Sequence, residues 1–277
     1  MSTPDITFDE LYLREAALLP IRRQLYHSSG EGYFVFKGFL DVTQTEHMRR
    51  FWSSLEPQDW HKPYVNAERM YRGCPNYVEE AKGQVSYLNF LWNEPPDELT
   101  HAVAFAIQML RNRIEARNLY REIFPLAGRS ASYRIVLSRN IDEIVVPHRD
   151  WVGEAFDPRR LQVTLFLAEK GKDYEGIGFG IETNYGKSKV FGEDVEVHPG
   201  DLVLWRYNNL HFAREVSSDG TIGFMRMLMP PEEIVDQSTA LRLRTIEDRL
   251  RRGLKRIPLV ERHFLPTYRK LRRILHG

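Results

Sequence analysis

The stretch that decides the fold begins Val145-Val146-Pro147-His148-Arg149-Asp150 and ends Gly200-Asp201-Leu202-Val203-Leu204-Trp205, six residues before His211. Three runs typical of single strands lie between and after them, at 161–168, 177–183 and 224–229. Because side chains alternate along a strand, His148 and Asp150 point to the same side of an extended strand end. His211 follows another strand, and it returns to the same point if the strands wrap into a barrel.

These three residues form a plausible ligand set for one metal ion. Two imidazoles and one carboxylate on one face of an ion leave three positions open, which suits non-heme Fe(II) working with O₂. The competing interpretation is that both histidines lie at a barrel rim and are satisfied by hydrogen bonds, which is the usual fate of a lone histidine.

The segments that carry the pattern resemble a known family, the Fe(II)/2-oxoglutarate-dependent oxygenases, whose jelly-roll (cupin-like) barrel contains H-x-D…H. The matching segments are 148–150, the glycine pair in 176–178, the run 199–205 leading to His211, and Arg226. The segment Gly32-Tyr33-Phe34-Val35-Phe36-Lys37-Gly38-Phe39-Leu40 is similar to the opening of the phytanoyl-CoA-hydroxylase-like branch, which looks nearest within the superfamily.

The resemblance implies an α+β fold with a double-stranded β-helix (jelly-roll, cupin-like) barrel, N-terminal helices that back the sheet and a C-terminal basic helical extension. We expect residues 1–230 to form the oxygenase barrel domain and 231–277 to form an amphipathic tail docked on it. Sequence signals predict a helix that Pro20 ends, a helix capped by Asp41 or Thr43, and a long helix over 95–118. Residues 57–83 are expected to be irregular.

For the cosubstrate 2-oxoglutarate, the resemblance implies chelation at the iron and a buried cation for the far carboxylate. Arg226 is the candidate, because a guanidinium matches a carboxylate with two parallel hydrogen bonds and is costly to bury unpaired. Arg214 is the rival, and Thr164 is a candidate hydroxyl donor. Whether Tyr133 or Arg134 faces the cofactor depends on strand register, since a one-residue slip reverses the answer; we include Tyr133 in the expected cofactor site.

The implied reaction is oxidative decarboxylation of 2-oxoglutarate to succinate and CO₂, coupled to hydroxylation or desaturation of an unactivated C–H. The presence of Asp150 disfavours halogenation, because the superfamily's halogenases lack that carboxylate. The substrate is expected to be a small molecule or a tethered acyl or glycosyl group. Two alternatives stay open: a metal oxygenase that uses no 2-oxoglutarate, and a non-catalytic cupin-like scaffold that docks through its basic tail.

Candidate substrate contacts come from segments that vary freely in this superfamily. The candidate substrate contacts are Tyr64, Met70, Tyr71, Tyr77, Trp151, Arg159 and Arg160. For each of them, a purely structural role, in loop packing or on the solvated surface, is at least as common. His198 precedes a Pro-Gly turn and is given no role.

The charge distribution and the cysteine content bear on the partners and the cellular location expected for the protein. Residues 241–277 hold twelve Lys/Arg against three acids, so the tail carries +9 in a chain of net charge +1. Such a basic face suggests contact with an anionic membrane surface or an acidic partner, while nucleic acid ranks lower because no nucleic-acid motif accompanies it. One cysteine, no leader pattern and no apolar run near ~20 residues favour a soluble, cytoplasmic protein.

Overall fold

The structure is a computed structural model that describes residues 15–57, 76–81, 83–92, 95–123, 129–140, 145–149, 157–214, 216–220, 222–231 and 233–234. Its helices are α1 (Glu15–Tyr26), α2 (Val42–Ser53) and α3 (Glu98–Ile114). Its strands are β1 (Tyr33–Phe36), β2 (Asn76–Ala81), β3 (Gln84–Phe90), β4 (Arg129–Ser130), β5 (Ser132–Ser138), β6 (Val145–His148), β7 (Leu161–Phe166), β8 (Glu175–Gly176), β9 (Phe179–Glu182), β10 (Ser188–Val190), β11 (Leu202–Arg206), β12 (His211–Ala213), β13 (Val216–Ser217), β14 (Phe224–Met229) and β15 (Glu233–Ile234).

The described strands form one large and one small antiparallel sheet. The large sheet has the order β1-β11-β7-β14-β5-β3-β2, the small sheet has the order β10-β9-β12-β6, and two short ribbons pair β13 with β8 and β15 with β4. The predicted α+β class is confirmed. The described strands make facing sheets and no closed barrel, so the jelly-roll barrel stays a prediction.

The structure also bears on the predictions for residues 57–83 and for the tail, residues 231–277. The strand β2 lies inside the segment that we expected to be irregular, and it pairs with β3 along its whole length. The short strand β15 belongs to the predicted tail but pairs with β4. The helical part predicted for the tail lies outside the described residues.

The two faces of the large sheet have different partners. Aromatic contacts across the sheets show that the inner face meets the small sheet, for example between Phe179 of β9 and Trp205 of β11, whose ring centroids lie 5.5 Å apart. The outer face meets the helices, since Trp52 of α2 packs on Tyr87 of β3 at 5.7 Å. Because side chains alternate, each strand of the large sheet divides its residues between the inter-sheet space and the helical layer.

The helices depart from the prediction at Pro20. The helix α1 continues through that residue, so the prediction that Pro20 ends it is wrong. Pro20 has no N–H for the helical ladder, but Leu18, Ile21 and Leu25 are fully buried, and this tertiary packing holds the helix together. The predicted cap of α2 is confirmed: Asp41 forms a reciprocal capping box.

In the part of the chain that the structure describes, no helix combines the length and the apolar character that crossing a membrane requires.

Candidate metal centre

The two histidines of the predicted ligand set lie side by side on neighbouring strands. His148 is the last residue of β6 and His211 is the first residue of β12, and the antiparallel register pairs them directly. Their ring centroids lie 4.3 Å apart with a tilt of 53°. Strand pairing thus brings two histidines that are sixty-three residues apart in the sequence next to each other, and their two nitrogen donors lie at one point.

His211 is held in a defined orientation. Its Nδ1 lies 3.2 Å from the backbone carbonyl oxygen of Asn209, and its ring packs 4.7 Å from that of Trp205. A carbonyl only accepts, so Nδ1 carries the proton and Nε2 carries the lone pair. Metal-binding histidines commonly donate their other ring N–H to a carbonyl or carboxylate in this way. The side chain is buried, whereas His148 is exposed, so the pair lies where the inter-sheet space opens.

The third predicted ligand, Asp150, lies outside the described residues, as does Trp151. Among the residues that are described, no group of three His, Cys, Asp or Glu side chains is arranged to hold a metal ion. The imidazole pair is therefore the described part of the predicted centre. Its donor set fits Fe(II), because imidazole is a common ligand of that ion and one carboxylate completes the facial triad.

Arg226 lies on the inner face of the large sheet. Its guanidinium carbon is 4.7 Å from the centre of the Phe224 ring and 5.8 Å from that of Phe179, which belongs to the small sheet. The residue is 7% exposed, and Nε has no hydrogen-bond partner. Among the described residues, no carboxylate forms an ion pair with it. The guanidinium is thus a buried cation between two aromatic rings, without a counter-ion among the described residues.

Burial has the electrostatic effect expected of such a group. Desolvation lowers the pKa of Arg226 to about 10, while Tyr174 acts weakly in the opposite direction. The charged form therefore persists at neutral pH at a cost in free energy. A carboxylate that enters this space can offset that cost with two charge-assisted hydrogen bonds.

The register places Thr164 on the same inner face. It pairs with Leu228 of β14, two residues beyond Arg226, and its hydroxyl oxygen accepts a hydrogen bond of 3.2 Å from Nε1 of Trp205. The ring of Trp205 also contacts His211, so a short chain of contacts joins Thr164 to the imidazole pair. Its hydroxyl hydrogen can donate to an acceptor in the same space.

Tyr133 has the opposite orientation. It is fully buried, it accepts a hydrogen bond of 2.8 Å from Nδ2 of Asn89, and its ring lies 6.0 Å from that of His101 in α3. The phenol therefore faces the helical layer, on the other side of the sheet from Arg226. Arg134 occupies the inner face instead, directly across from Leu228. We leave Tyr133 out of the proposed cofactor site for this reason.

The remaining arginine candidates serve other purposes. Arg214 packs over the Phe212 ring at 4.9 Å, and Phe212 alternates with His211 along β12, so this rival cation lies away from the imidazole pair. Arg160 donates to the buried carboxylates of Glu115 and Glu122 at 2.7–3.0 Å. Arg160 is 4% exposed and both of its terminal nitrogens pair with these carboxylates, so it is not placed to contact a substrate, which corrects one of the substrate-contact candidates.

The other candidates are placed as follows. Arg159 is exposed and pairs with Asp157 at 3.0 Å, and the exposed His198 bonds to two surface glutamates. Of the substrate candidates in the segment 57–83, Tyr77 lies in β2, while Tyr64, Met70 and Tyr71 lie outside the described residues.

One inner-face residue was not among the predicted site residues. Gln162 is 8% exposed and pairs across the sheet with Trp205, and its Oε1 has no hydrogen-bond partner. In the sequence, Gln162 is two residues from Thr164 and so shares its strand face, but this spacing alone does not indicate a polar site. The inner face between the sheets therefore combines a buried amide, a hydroxyl and a guanidinium.

Comparison with known proteins leaves the family of this chain undecided at the level of sequence. No family model and no curated protein matches it. Solved structures resemble it in fold: a prolyl-4-hydroxylase from Pseudomonas putida (16% identity, 77% of this chain and 97% of that chain, TM-score 0.48), T7H from Neurospora crassa in complex with alpha-KG (9%, 85% and 88%, 0.48) and AviO1 from Streptomyces viridochromogenes (14%, 80% and 95%, 0.45). At these identities and scores, function has to be argued from the residues of the chain itself.

Proposed function

We propose that this chain is an Fe(II)- and 2-oxoglutarate-dependent oxygenase of the superfamily that its motifs resemble, with the phytanoyl-CoA-hydroxylase-like branch as the nearest by motif. One observation carries the proposal: the space between the sheets has a pair of imidazoles at its opening and a buried guanidinium that has no counter-anion among the described residues. The two features meet different needs of one cosubstrate, which chelates a metal at one end and carries a carboxylate at the other.

In this proposal His148, Asp150 and His211 hold the metal ion. The carbonyl of Asn209 keeps Nδ1 of His211 protonated, so Nε2 is the donor nitrogen. Asp150 follows His148 by two residues in the sequence, which is the spacing at which side chains of an extended segment share one side. Three protein ligands leave positions for the cosubstrate and for O₂.

Arg226 binds the far carboxylate of 2-oxoglutarate, and Thr164 donates a further hydrogen bond from the same face. The aromatic rings of Phe179 and Phe224 on either side of the guanidinium exclude water from this end. Excluding water strengthens the ion pair, because competing solvation of the carboxylate is removed. Trp205 forms the wall between Thr164 and His211.

When bound, iron and 2-oxoglutarate supply the oxidising chemistry: decarboxylation to succinate and CO₂, coupled to hydroxylation or desaturation of an unactivated C–H. The chain supplies orientation, a dry space and selection of the substrate. The substrate belongs to the small-molecule or carrier-tethered class, with the basic residues 241–277 as the proposed contact to an acidic carrier or an anionic surface.

The test is succinate release by the purified chain with Fe(II), 2-oxoglutarate and a panel of metabolites drawn from the neighbourhood of the gene. We expect release that depends on Fe(II) and rises with one class of compound. His211→Ala should abolish it, while His198→Ala, which removes an exposed histidine bonded to surface glutamates, should leave it unchanged. Release that survives His211→Ala would contradict the assignment of the metal site.

Two results would favour the alternatives. Turnover of a substrate that persists undiminished in Arg226→Ala would indicate a metal oxygenase that needs no 2-oxoglutarate. Failure to retain iron after anaerobic reconstitution would favour a non-catalytic scaffold, because the paired imidazoles would then bind no catalytic metal.

A further inference from the structure

We propose that Asn209 is a positioning residue of the metal centre: its side-chain amide fixes the backbone carbonyl to which His211 donates, and so sets the affinity of the site for Fe(II). The inference rests on the proposed function for the metal, but the hydrogen bond itself is a property of the metal-free chain. Asn209 is not among the residues that the sequence predicts for the site. It lies in the turn between β11 and β12 and is 6% exposed.

The peptide unit between Asn209 and Leu210 is held from both sides by one residue of the neighbouring strand. Nδ2 of Asn209 donates a hydrogen bond of 3.0 Å to the backbone carbonyl of Glu182 in β9, and the backbone N–H of Glu182 donates one of 2.7 Å to the carbonyl of Leu210. The backbone N–H of Asn209 also donates to the carbonyl of Arg206 at 2.9 Å, which closes the turn. The carbonyl oxygen of Asn209 therefore has a fixed direction where Nδ1 of His211 meets it at 3.2 Å.

Asparagine suits this position because its side chain meets two acceptors in a place that is nearly closed to water. Besides the carbonyl of Glu182, Nδ2 of Asn209 lies 3.4 Å from Oδ1 of Asn184. An amide nitrogen has two N–H donors, one for each acceptor, whereas a carboxylate has none. The amide of Asn209 thus binds both neighbours at once, which a side chain of the same size without an N–H cannot do.

Asn184 connects this contact to the end of α1. Its Nδ2 donates at 2.9 Å to the carbonyls of Leu25 and His27, and its Oδ1 accepts at 3.0 Å from Nη1 of Arg206. The last carbonyls of a helix have no partner within the helix, so the amide of Asn184 satisfies one of them at Leu25. The hydrogen bonds of Asn209 are therefore continuous with a packed helix.

A glycine allows the two amides to approach each other closely. Gly32 has φ +79°, and a Cβ there would lie 2.4 Å from Nδ2 of Asn209 and 2.7 Å from Oδ1 of Asn184. Both the backbone conformation and the space require glycine at this position. The carbonyl of Gly32 also accepts from the backbone N–H of Arg206 at 2.9 Å, so the segment before β1 contributes to the position of the turn.

The same turn also contacts the strand end that carries the other histidine. The guanidinium of Arg149, the residue after His148, donates to the backbone carbonyl of Asn208. Since Asn208 precedes Asn209, the turn is bonded to the ends of both strands that carry an imidazole. The position of the turn therefore bears on the spacing of the two imidazoles as well as on the orientation of His211.

The test compares Asn209→Ala with Asn112→Ala. Asn112 is a matched control, because it is fully buried in α3 and its Nδ2 donates to the backbone carbonyls of Leu119 and Arg121 at 3.0 and 2.8 Å. Isothermal titration calorimetry of the full chain with Fe(II), under anaerobic conditions, measures Kd for the metal. We expect Asn209→Ala to raise this Kd by about tenfold, the lower end of the usual cost of losing a partner behind a metal ligand, and Asn112→Ala to leave it unchanged.

A second measurement needs no metal. Nitrogen-15 NMR of the histidine-labelled, metal-free chain, at a pH where imidazoles are neutral, reports which ring nitrogen of His211 carries the proton; His211→Ala assigns the signal. We expect Nδ1 to carry it in the unsubstituted chain and in Asn112→Ala, and both tautomers to be populated in Asn209→Ala. Asn184→Ala, which removes a partly exposed side chain and only the second acceptor, should change both measurements in the same direction by less.

The other outcomes separate this inference from the proposed function. An Asn209→Ala variant that keeps the tautomer and the Kd of the unsubstituted chain would show that the amide only packs the turn, and the inference would be wrong. Equal loss of Fe(II) affinity in Asn209→Ala and Asn112→Ala would indicate general destabilisation, which also overturns it. If Asn209→Ala does not fold, Asn184→Ala decides by the same criteria. If the unsubstituted chain binds no Fe(II), the proposed function fails and this inference fails with it.

Discussion

Replacing Arg226 by methionine should make the ligand-free protein more stable, although Arg226 is buried in the core. The side chain has no counter-ion among the described residues, and Nε has no partner. Methionine keeps most of the apolar length that packs between Phe224 and Phe179 and removes the charge. Most buried substitutions lower stability, so an increase would identify a residue retained for binding.

The pKa gives the expected size of the effect. Burial lowers the pKa of Arg226 to about 10, and one pKa unit corresponds to 1.36 kcal/mol, so keeping the charge in the folded state costs on the order of 3 kcal/mol. The two cation–π contacts return about 1–2 kcal/mol of this. We therefore expect Arg226→Met to raise the free energy of unfolding by about 1–2 kcal/mol at pH 7.

The sign of the pH dependence follows from the lowered pKa. Below pH 10 the arginine is charged in both the folded and the unfolded state, and the full cost is present. As the pH rises through 10, the folded state can lose the proton and the cost declines. The difference in stability between the variant and the unsubstituted chain should thus be constant from pH 6 to pH 9, a range that avoids this titration.

The assay is urea denaturation with and without saturating Fe(II) and 2-oxoglutarate. At 100 times Kd, the cosubstrate should stabilise the unsubstituted chain by about 2.7 kcal/mol and the Arg226→Met variant far less. Arg49→Met is the matched control, because Arg49 is equally buried but forms a bidentate pair with Asp173 at 2.9 Å. Removing it leaves a buried carboxylate unpaired and should cost about 3–5 kcal/mol. A ligand-free Arg226→Met variant that loses stability as Arg49→Met does would refute the reasoning.

Three further predictions concern the rest of the site and its scaffold. His211→Ala should abolish stoichiometric Fe(II) binding without loss of the folded state; metal content after gel filtration and circular dichroism check both parts, and retained iron would contradict it. Asp97→Ala should lower the free energy of unfolding by about 1–2 kcal/mol at pH 7, because Asp97 caps α3. Burial opposes the ionisation of Asp97, but its hydrogen bonds outweigh burial and lower its pKa. The stabilisation by this cap should therefore be lost as the pH falls through that lowered pKa. Arg160→Met should cost about 3 kcal/mol, because it removes the buried partner of Glu115 and Glu122 and leaves them only the more exposed cations Arg117 and Arg121. Kd for 2-oxoglutarate should stay unchanged in calorimetry; a change in Kd with stability intact would restore Arg160 as a ligand contact.

The sequence by itself determined the local elements and the chemical types at the site. The β-rich runs 161–168 and 224–229 predicted strands, and the capping signal at Asp41 predicted the start of a helix, because both depend on neighbours within a few residues. The H-x-D…H spacing and the cation Arg226 pointed to a site through the resemblance; the structure pairs the two histidines and buries the guanidinium, and their roles as ligands stay a proposal.

Only the tertiary structure decided which side chains meet. Tyr133 and Arg134 are adjacent in sequence, and strand register alone sends one to the helices and the other to the inter-sheet space. The role of Arg160 depended on carboxylates 38 and 45 residues away in the sequence. Tyr174 packs on Phe224 where Gly178, the residue just before β9, leaves room for its ring. Such long-range pairings are set by how the sheets pack, which no short stretch of sequence encodes.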